Sequence, residues 1–235
     1  MFSLNFWIVL YFLIGLTMLY YSKYQPFPEI SGNYSWLVIF VGIVFWIAST
    51  APRETMEEVP ALFSTFVGGI GVIFGVRHMA ITNQDVILAP FGGVLFCVGA
   101  MDLLTLDWIN TTTTEQITSF GAASIIVILE IYLAFRGLVV GIPGISWSKS
   151  GLRQIKRGLI YGDNGAISHF EKSWDMNDPW LNAMSHAALV LIYKKNGNKE
   201  EEDKHLLELE KEGGWEAIDS SWIEAVEDSM SKIPV

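Results

Sequence analysis

The pattern of apolar and polar residues along the chain changes near residue 142. Before that point long apolar stretches alternate with short polar segments, and after it apolar residues recur at helical spacing among many charges. Five of the early stretches approach the roughly 20 residues that a helix needs to cross about 30 Å of hydrocarbon. They comprise residues 4–21, 34–50, 60–77, 86–106 and 118–141. The pattern predicts an all-α protein, with a membrane helix bundle over residues 1–142, a linker at 143–151 and a helical domain over 152–235.

Small residues are concentrated in the third and fourth predicted spans. Their spacing of three, four and seven residues lets two helix backbones approach closely in lipid. We therefore predict a tight helix hairpin between these spans. The residues are Gly68, Gly71, Gly75, Gly92, Gly93 and Gly99.

One acidic residue interrupts the fifth apolar stretch. Glu130 lies near the middle of "SIIVILEIYLAFRG", where an ionised carboxylate that faced lipid would be costly. We expect it to face another helix, and Asp102 in the outer third of the fourth span is placed to approach the same region. The residues that share its helical stripe are Val127, Ala134, Gly137 and Gly141.

Two functions for Glu130 and Asp102 are open. The first makes them ligands for an ion, a proton or a metal. The second makes Glu130 a hydrogen-bonding group that specifies helix pairing, either within this chain or with a partner subunit. The sequence favours the second, because a transport pathway normally shows a second acidic residue at matched depth or a broken helix.

Basic residues are distributed unequally between the two sides of the predicted bundle. Short loops rich in Lys and Arg stay in the cytoplasm. One side has only Arg53, and the other has Lys23, Arg77, Lys149, Arg153, Lys156 and Arg157. We therefore predict an integral membrane protein whose amino terminus lies outside and whose carboxyl-terminal domain is cytoplasmic.

The last four of these basic residues accompany the segment "LRQIKRGLIY" after the fifth span. Its apolar residues share one helical face, with positive charge beside it. That pattern suits a helix that rests on anionic lipid headgroups, and it equally suits the first helix of a helical hairpin. The apolar residues are Leu152, Ile155, Leu159 and Ile160.

A seven-residue phrase occurs twice in the carboxyl-terminal part. "LIYGDNG" occupies residues 159–165 and "LIYKKNG" occupies residues 191–197. Each phrase is interpreted as the end of one helix and the turn into a second. A final helix over 221–232 is predicted to begin with a capping box formed by Ser221 and Glu224.

Over about residues 152–212 these helix pairs resemble the tetratricopeptide repeat family. The likeness rests on a period near 34 residues, Tyr at the end of the first helix, Gly in the turn and a large apolar residue in the second helix. The first unit departs from the pattern, because Phe170 follows Gly165 too soon. The resemblance implies a stack of antiparallel helices that binds another protein. The positions that carry it are Tyr161, Gly165 and Phe170 in the first unit, and Tyr193, Gly197 and Leu206 in the second.

Residues with recognisable chemistry are few. Cys97 is the only cysteine, the four histidines match no metal motif, and soluble catalytic motifs are missing. A net charge of −10 argues against a nucleic acid partner. We therefore expect no catalytic residue, metal or cofactor, and we predict an accessory or scaffold subunit that binds other subunits of a membrane complex. The alternatives are a small ion or proton conductor that uses Glu130 and Asp102, and a subunit of an intramembrane metal enzyme.

Overall fold

Helices make up all the regular secondary structure in residues 2–52, 55–106, 108–174 and 179–231, which are the parts of the chain that this computed structural model describes. The predicted all-α class is confirmed for these residues. Contacts between helices divide the chain into two compact units, Met1–Ile142 and Pro143–Val235. Arg53, which entered the prediction of orientation, lies outside the described residues.

The described residues of the first unit form five α-helices, and four of these are long and apolar enough to cross a membrane. The fourth predicted span is a helix of 17 residues, or about 25 Å, which is at the short end of the range for a span. π-helical turns at His78–Thr82 and Phe135–Val140 lengthen the third and fifth helices. The five are α1 (Leu4–Ser22), α2 (Pro28–Ser49), α3 (Glu58–Arg77), α4 (Leu88–Leu104) and α5 (Thr113–Ala134).

Residues typical of helix starts precede two of the apolar stretches and determine where those helices begin. Pro28 occupies the first turn of α2, where its missing N–H leaves no hydrogen bond unmade. Thr112 and Glu115 form a reciprocal capping box at the start of α5. Hydrophobicity alone placed these starts at residues 34 and 118, so the helices begin five or six residues earlier than predicted.

α3 and α4 pack backbone against backbone. A Cβ atom on Gly68 would collide with the amide of Phe96, and one on Gly75 would collide with Ala89. Only glycine allows so close an approach, and the two helices therefore form the tight hairpin that the small residues predicted.

A buried carboxylate holds the start of α4. Asp85 Oδ1 accepts hydrogen bonds from the amides of Ile87, at 3.0 Å, and Leu88, at 2.8 Å. The neighbouring amide of Val86 donates a bond of 3.4 Å to Oε1 of Gln25, in the segment between α1 and α2. These contacts satisfy backbone groups that the helix itself leaves unpaired.

The second unit is built from two pairs of helices and a final helix. The second helix of the first pair packs against the first helix of the second pair, and the final helix lies against the first helix of each pair. Ile155, Phe170, Leu189, Ile192 and Val226 are among the side chains of the shared core. The elements are α6 (Gly144–Lys156), α7 (Ala166–Trp174), α8 (Pro179–Lys195), α9 (Lys199–Lys211) and α10 (Ser220–Ser231).

The linker predicted at residues 143–151 is wrong, because Gly144 begins α6. The small residues that suggested a breaker-rich segment form a packing surface against α7. Ser150 Oγ lies 2.9 Å from Nδ1 of His169. The missing side chain of Gly151 makes room for the ring of Phe170, which would lie 2.7 Å from a Cβ atom there.

The start of α10 also differs from its prediction. The helix begins at Ser220, one residue before the predicted start. Asp219 Oδ1 accepts a 2.8 Å hydrogen bond from the amide of Ser221. Asp219 therefore supplies the cap that had been assigned to Ser221 with Glu224.

Candidate functional site

α5 places the carboxylate of Glu130 against α4. Its Oε2 lies over Gly93, and a Cβ atom at that position would overlap it. Leu133 and Gly137 are buried along the same side of α5. Glu130 thus faces another helix as predicted, but Leu133 replaces Val127 in the contact, since Val127 is 37% exposed.

The Glu130 carboxylate interacts electrostatically with the thiol of Cys97, about one turn from Gly93 on α4, but it makes no hydrogen bond or ion pair in the described parts of the chain. Its Oε2 is buried. Glu130 lies ten residues before Val140, the end of the lengthened helix, which is about 15 Å along its axis. In a membrane, a carboxylate this far from the helix end either carries a proton or takes a hydrogen-bond donor.

Asp102 belongs to a different part of the bundle. Both of its carboxylate oxygens accept from the backbone amide of Phe2, at 3.2 and 3.3 Å. Nine residues of α4 separate Asp102 from Gly93, the contact of Glu130, and they cover about 13 Å. The two carboxylates therefore do not meet, and Asp102 instead holds the segment that leads into α1.

The basic residues that follow the fifth predicted span lie along α6, except Arg157, which directly follows its last residue. Lys149, Lys156 and Arg157 are exposed and Arg153 is half-buried. Ile155 of the same helix packs into the core of the second unit. The sequence left two interpretations of this segment open. In the structure α6 is the first helix of a helical hairpin, packed against α7. The apolar face does not extend beyond α6, because Leu159 and Ile160 follow its end.

The two heptapeptides do not occupy equivalent positions. Tyr193 is buried within α8, whereas Tyr161 is 66% exposed in the segment after α6. Gly197 has a φ of +69° and ends α8, whereas Gly165 directly precedes α7. The interpretation of the first phrase as a helix end is therefore wrong, because α6 has already ended at Lys156.

The second helix of each pair contributes apolar side chains as expected. Phe170 of α7 is fully buried. In α9 the half-buried Leu206 is accompanied by Leu209, which is fully buried. Both pairs therefore present an apolar side to their neighbours, although their turns differ.

Two histidines that the sequence did not single out meet between α8 and α9. Nδ1 of His186 lies 3.1 Å from Nδ1 of His205, so one ring donates and the other accepts. Burial lowers the pKa of His205 to about 4 and lowers the pKa of His186. Nε2 of His205 lies 3.8 Å from Oε2 of Glu201. The sequence feature that could have identified this pair is the nearly equal separation of the two histidines from the turn at Asn196, since such positions face each other in a helical hairpin.

Among the residues that the structure describes, no three His, Cys, Asp or Glu side chains are grouped so that they could hold a metal ion. Comparison with known proteins assigns no family: no protein-family model, no curated protein and no solved structure matches the chain.

Proposed function

We propose that this protein is a non-catalytic accessory or scaffold subunit of a larger membrane protein complex. The observation that carries the proposal is the exposure of α5. Only 11% of its most apolar window is buried within the chain, against 28% to 44% for α1, α2 and α3. A helix that its own bundle covers so little offers a long surface to other membrane helices.

The outer half of α5 has the residues that helix contacts in lipid require. Gly121 is followed by two alanines and a serine, and a Cβ atom on Gly121 would meet nothing within 4 Å. A small apolar recess of about 90 Å³ lies between the end of α4 and the start of α5, with Met101 and Phe120 in its lining. Small residues beside open space support the approach of a further helix.

The second unit is proposed to bind partner subunits on the side of the membrane where the basic residues lie. In this proposal the amino terminus is outside and the second unit is cytoplasmic. The outward face of α6, with Lys149 and Lys156, then interacts with anionic headgroups. The two helix pairs, with their resemblance to tetratricopeptide repeats, bind partner subunits.

The proposal is tested by purifying the tagged protein from its native membrane in a mild detergent. We expect other membrane proteins to co-purify at a constant ratio. Truncation after Ile142, where the two units divide, should remove the partners that the second unit binds. Recovery of the full chain as a monomer without companions would contradict the proposal.

Reconstitution tests the ion-conducting alternative directly. Vesicles that contain the pure protein should carry no proton or cation flux above that of empty vesicles. A flux that disappears in Glu130→Gln would replace the scaffold proposal with conduction.

A further inference from the structure

We propose that Glu130 accepts a hydrogen bond from a transmembrane helix of a partner protein, and that this helix lies in the groove between α4 and α5. The inference rests on the proposed accessory function and names the contact through which the partner is held. It specifies a partner helix with a Lys, Arg or amide side chain at the depth of Glu130.

The need for a donor follows from the position of the carboxylate. Glu130 lies on a helix whose neighbouring side chains are open to the surroundings, with Ile128 66% and Ile131 64% exposed. An acidic group in hydrocarbon is normally paired with another polar group or faces water. The described residues offer Glu130 the weakly donating thiol of Cys97 nearby, but no hydrogen bond or ion pair.

The packing of α5 on α4 loosens from one end of the contact to the other. Toward the inner end the two helices touch closely, because a Cβ atom on Gly137 would collide with the carbonyl of Val86. At Gly93 the Glu130 carboxylate still fills the contact. Toward the outer end the helices leave the recess beside Phe120. Glu130 therefore lies between the close contact at Gly137 and the recess, whose nearest lining residue on α5, Ala123, is seven residues or about 10 Å away.

The depth of Glu130 identifies a protein helix as the source of the donor. Lipid headgroups carry hydrogen-bond donors, but they lie at the bilayer surface, and about 15 Å of helix separates Glu130 from the end at Val140. A second copy of this chain in the same orientation would place one Glu130 beside another. Arg136, its nearest cation along α5, is six residues and about 9 Å further toward the inner end. A different membrane helix with a donor at the matching depth fits the site better than either.

Photocrosslinking in the native membrane tests the position of the partner. A photoreactive amino acid replaces Val127, which is one turn from Glu130, and in a matched control it replaces Phe66 on α3, which is 68% exposed. We expect a crosslink to a second membrane protein from position 127 and none to that protein from position 66. A product with the mass of two copies of this chain, or crosslinks to lipid alone, would overturn the inference.

Substitution of Glu130 tests its role in holding the partner. Glu130→Leu should lower partner recovery by about fivefold to thirtyfold, the equivalent of one strong interhelical hydrogen bond. Glu130→Gln, which keeps an acceptor, should retain most of the partner. Glu115→Gln is the control, because Glu115 is at the exposed start of the same helix.

The melting temperature of the purified chain separates this role from an internal one. Because Glu130 makes no hydrogen bond or ion pair within the described residues, Glu130→Leu should leave the melting temperature of the isolated protein unchanged or raise it. A fall would show that the carboxylate acts inside the chain and would overturn the inference. If partners co-purify equally with the wild type and Glu130→Leu, the accessory function stands and this site fails. If the wild type purifies alone, the accessory function itself fails.

Discussion

The phenol hydroxyl of Tyr34 in α2 donates a 2.8 Å hydrogen bond to the backbone carbonyl of Val67 in α3. The bond is buried and connects the α1–α2 pair to the α3–α4 pair. We expect Tyr34→Phe to lower the free energy of unfolding by about 0.6 to 1.7 kcal/mol, the range for interhelical hydrogen bonds in membranes. Denaturation in detergent measures this change. Tyr132→Phe on the exposed side of α5 is the control, and an equal loss there would show that the effect is not specific to the bond.

Substitution by alanine is expected to have opposite effects on stability at Gly75 and at Gly121. Alanine generally favours a helix over glycine by about 1 kcal/mol. At Gly121 a Cβ atom meets nothing within 4 Å, so Gly121→Ala should stabilise the protein slightly. At Gly75 it would collide with Ala89 of α4, so Gly75→Ala should destabilise it by about 1 to 3 kcal/mol. Thermal melting of the two variants side by side gives the comparison, and stabilisation of both would contradict backbone contact between α3 and α4.

The paired histidines predict that the second unit loses stability in acid. Burial lowers the pKa of His205 to about 4 and also lowers the pKa of His186, whereas both groups titrate near 6.5 in an unfolded chain. The folded state therefore binds fewer protons than the unfolded state between these pH values. Stability should be fully present above pH 6.5 and should fall as the pH drops toward 4.

Melting curves recorded between pH 4.5 and 7.5 measure this dependence. His205→Gln should reduce the slope, because it removes one of the two titrating rings. His78→Gln, in the first unit, is the control and should leave the slope of the second unit unchanged. An unchanged slope in His205→Gln would show that other groups cause the acid sensitivity.

Trp222 is the main anchor of α10. Its Nε1 donates a 2.9 Å hydrogen bond to the carbonyl of Met184 in α8, and its ring packs edge-on against Phe170. Trp222 is half-buried, so Trp222→Ala should cost about 3 kcal/mol at most, the lower end of the range for a fully buried aromatic. Hydrogen exchange should then show α10 unprotected while the helices of the first unit keep their protection. Trp180→Ala is a matched control, since Trp180 is 53% exposed, and it should leave α10 protected.

Hydrophobicity was sufficient to locate the four helices that are long and apolar enough to cross a membrane, because burial in lipid demands long apolar stretches whatever the tertiary contacts are. The glycine hairpin was also predictable, since small residues at helical spacing have one main use in lipid. The separation between Asp102 and Glu130 was not predictable from sequence. It depends on the register of α4 against α5, and no local pattern encodes that register. The start of α6 was missed for a different reason. Serine and glycine weaken an isolated helix, but residues such as Ser150 and Gly151 are stabilised here by their contacts with α7.

The candidate site was predictable in part for similar reasons. A carboxylate within a long apolar stretch is rare, so Glu130 could be selected from sequence alone. Its lack of a hydrogen-bond partner could not be predicted, because that requires knowledge of every group that α4 and α5 place nearby. His186 and His205 escaped notice because each is unremarkable within its own helix, and only the turn between α8 and α9 brings them together.

α4 is shorter than its neighbours, so the non-helical backbone before its start lies beside helical residues that continue α3. α4 has 17 residues, whereas α3 and α5 with their π-helical turns reach 25 and 28 residues. At the Asp85 end Gly75 contacts Ala89, so the helix that continues from α3 to Thr82 extends past the start of α4. Non-helical backbone at membrane depth is tolerated only where protein shields it from lipid, and the Asp85 carboxylate is buried and accepts backbone amides. The start of α4 is therefore set by the hydrogen bonds of the buried Asp85 carboxylate, which gives this end of the helix a polar anchoring point made by the protein itself.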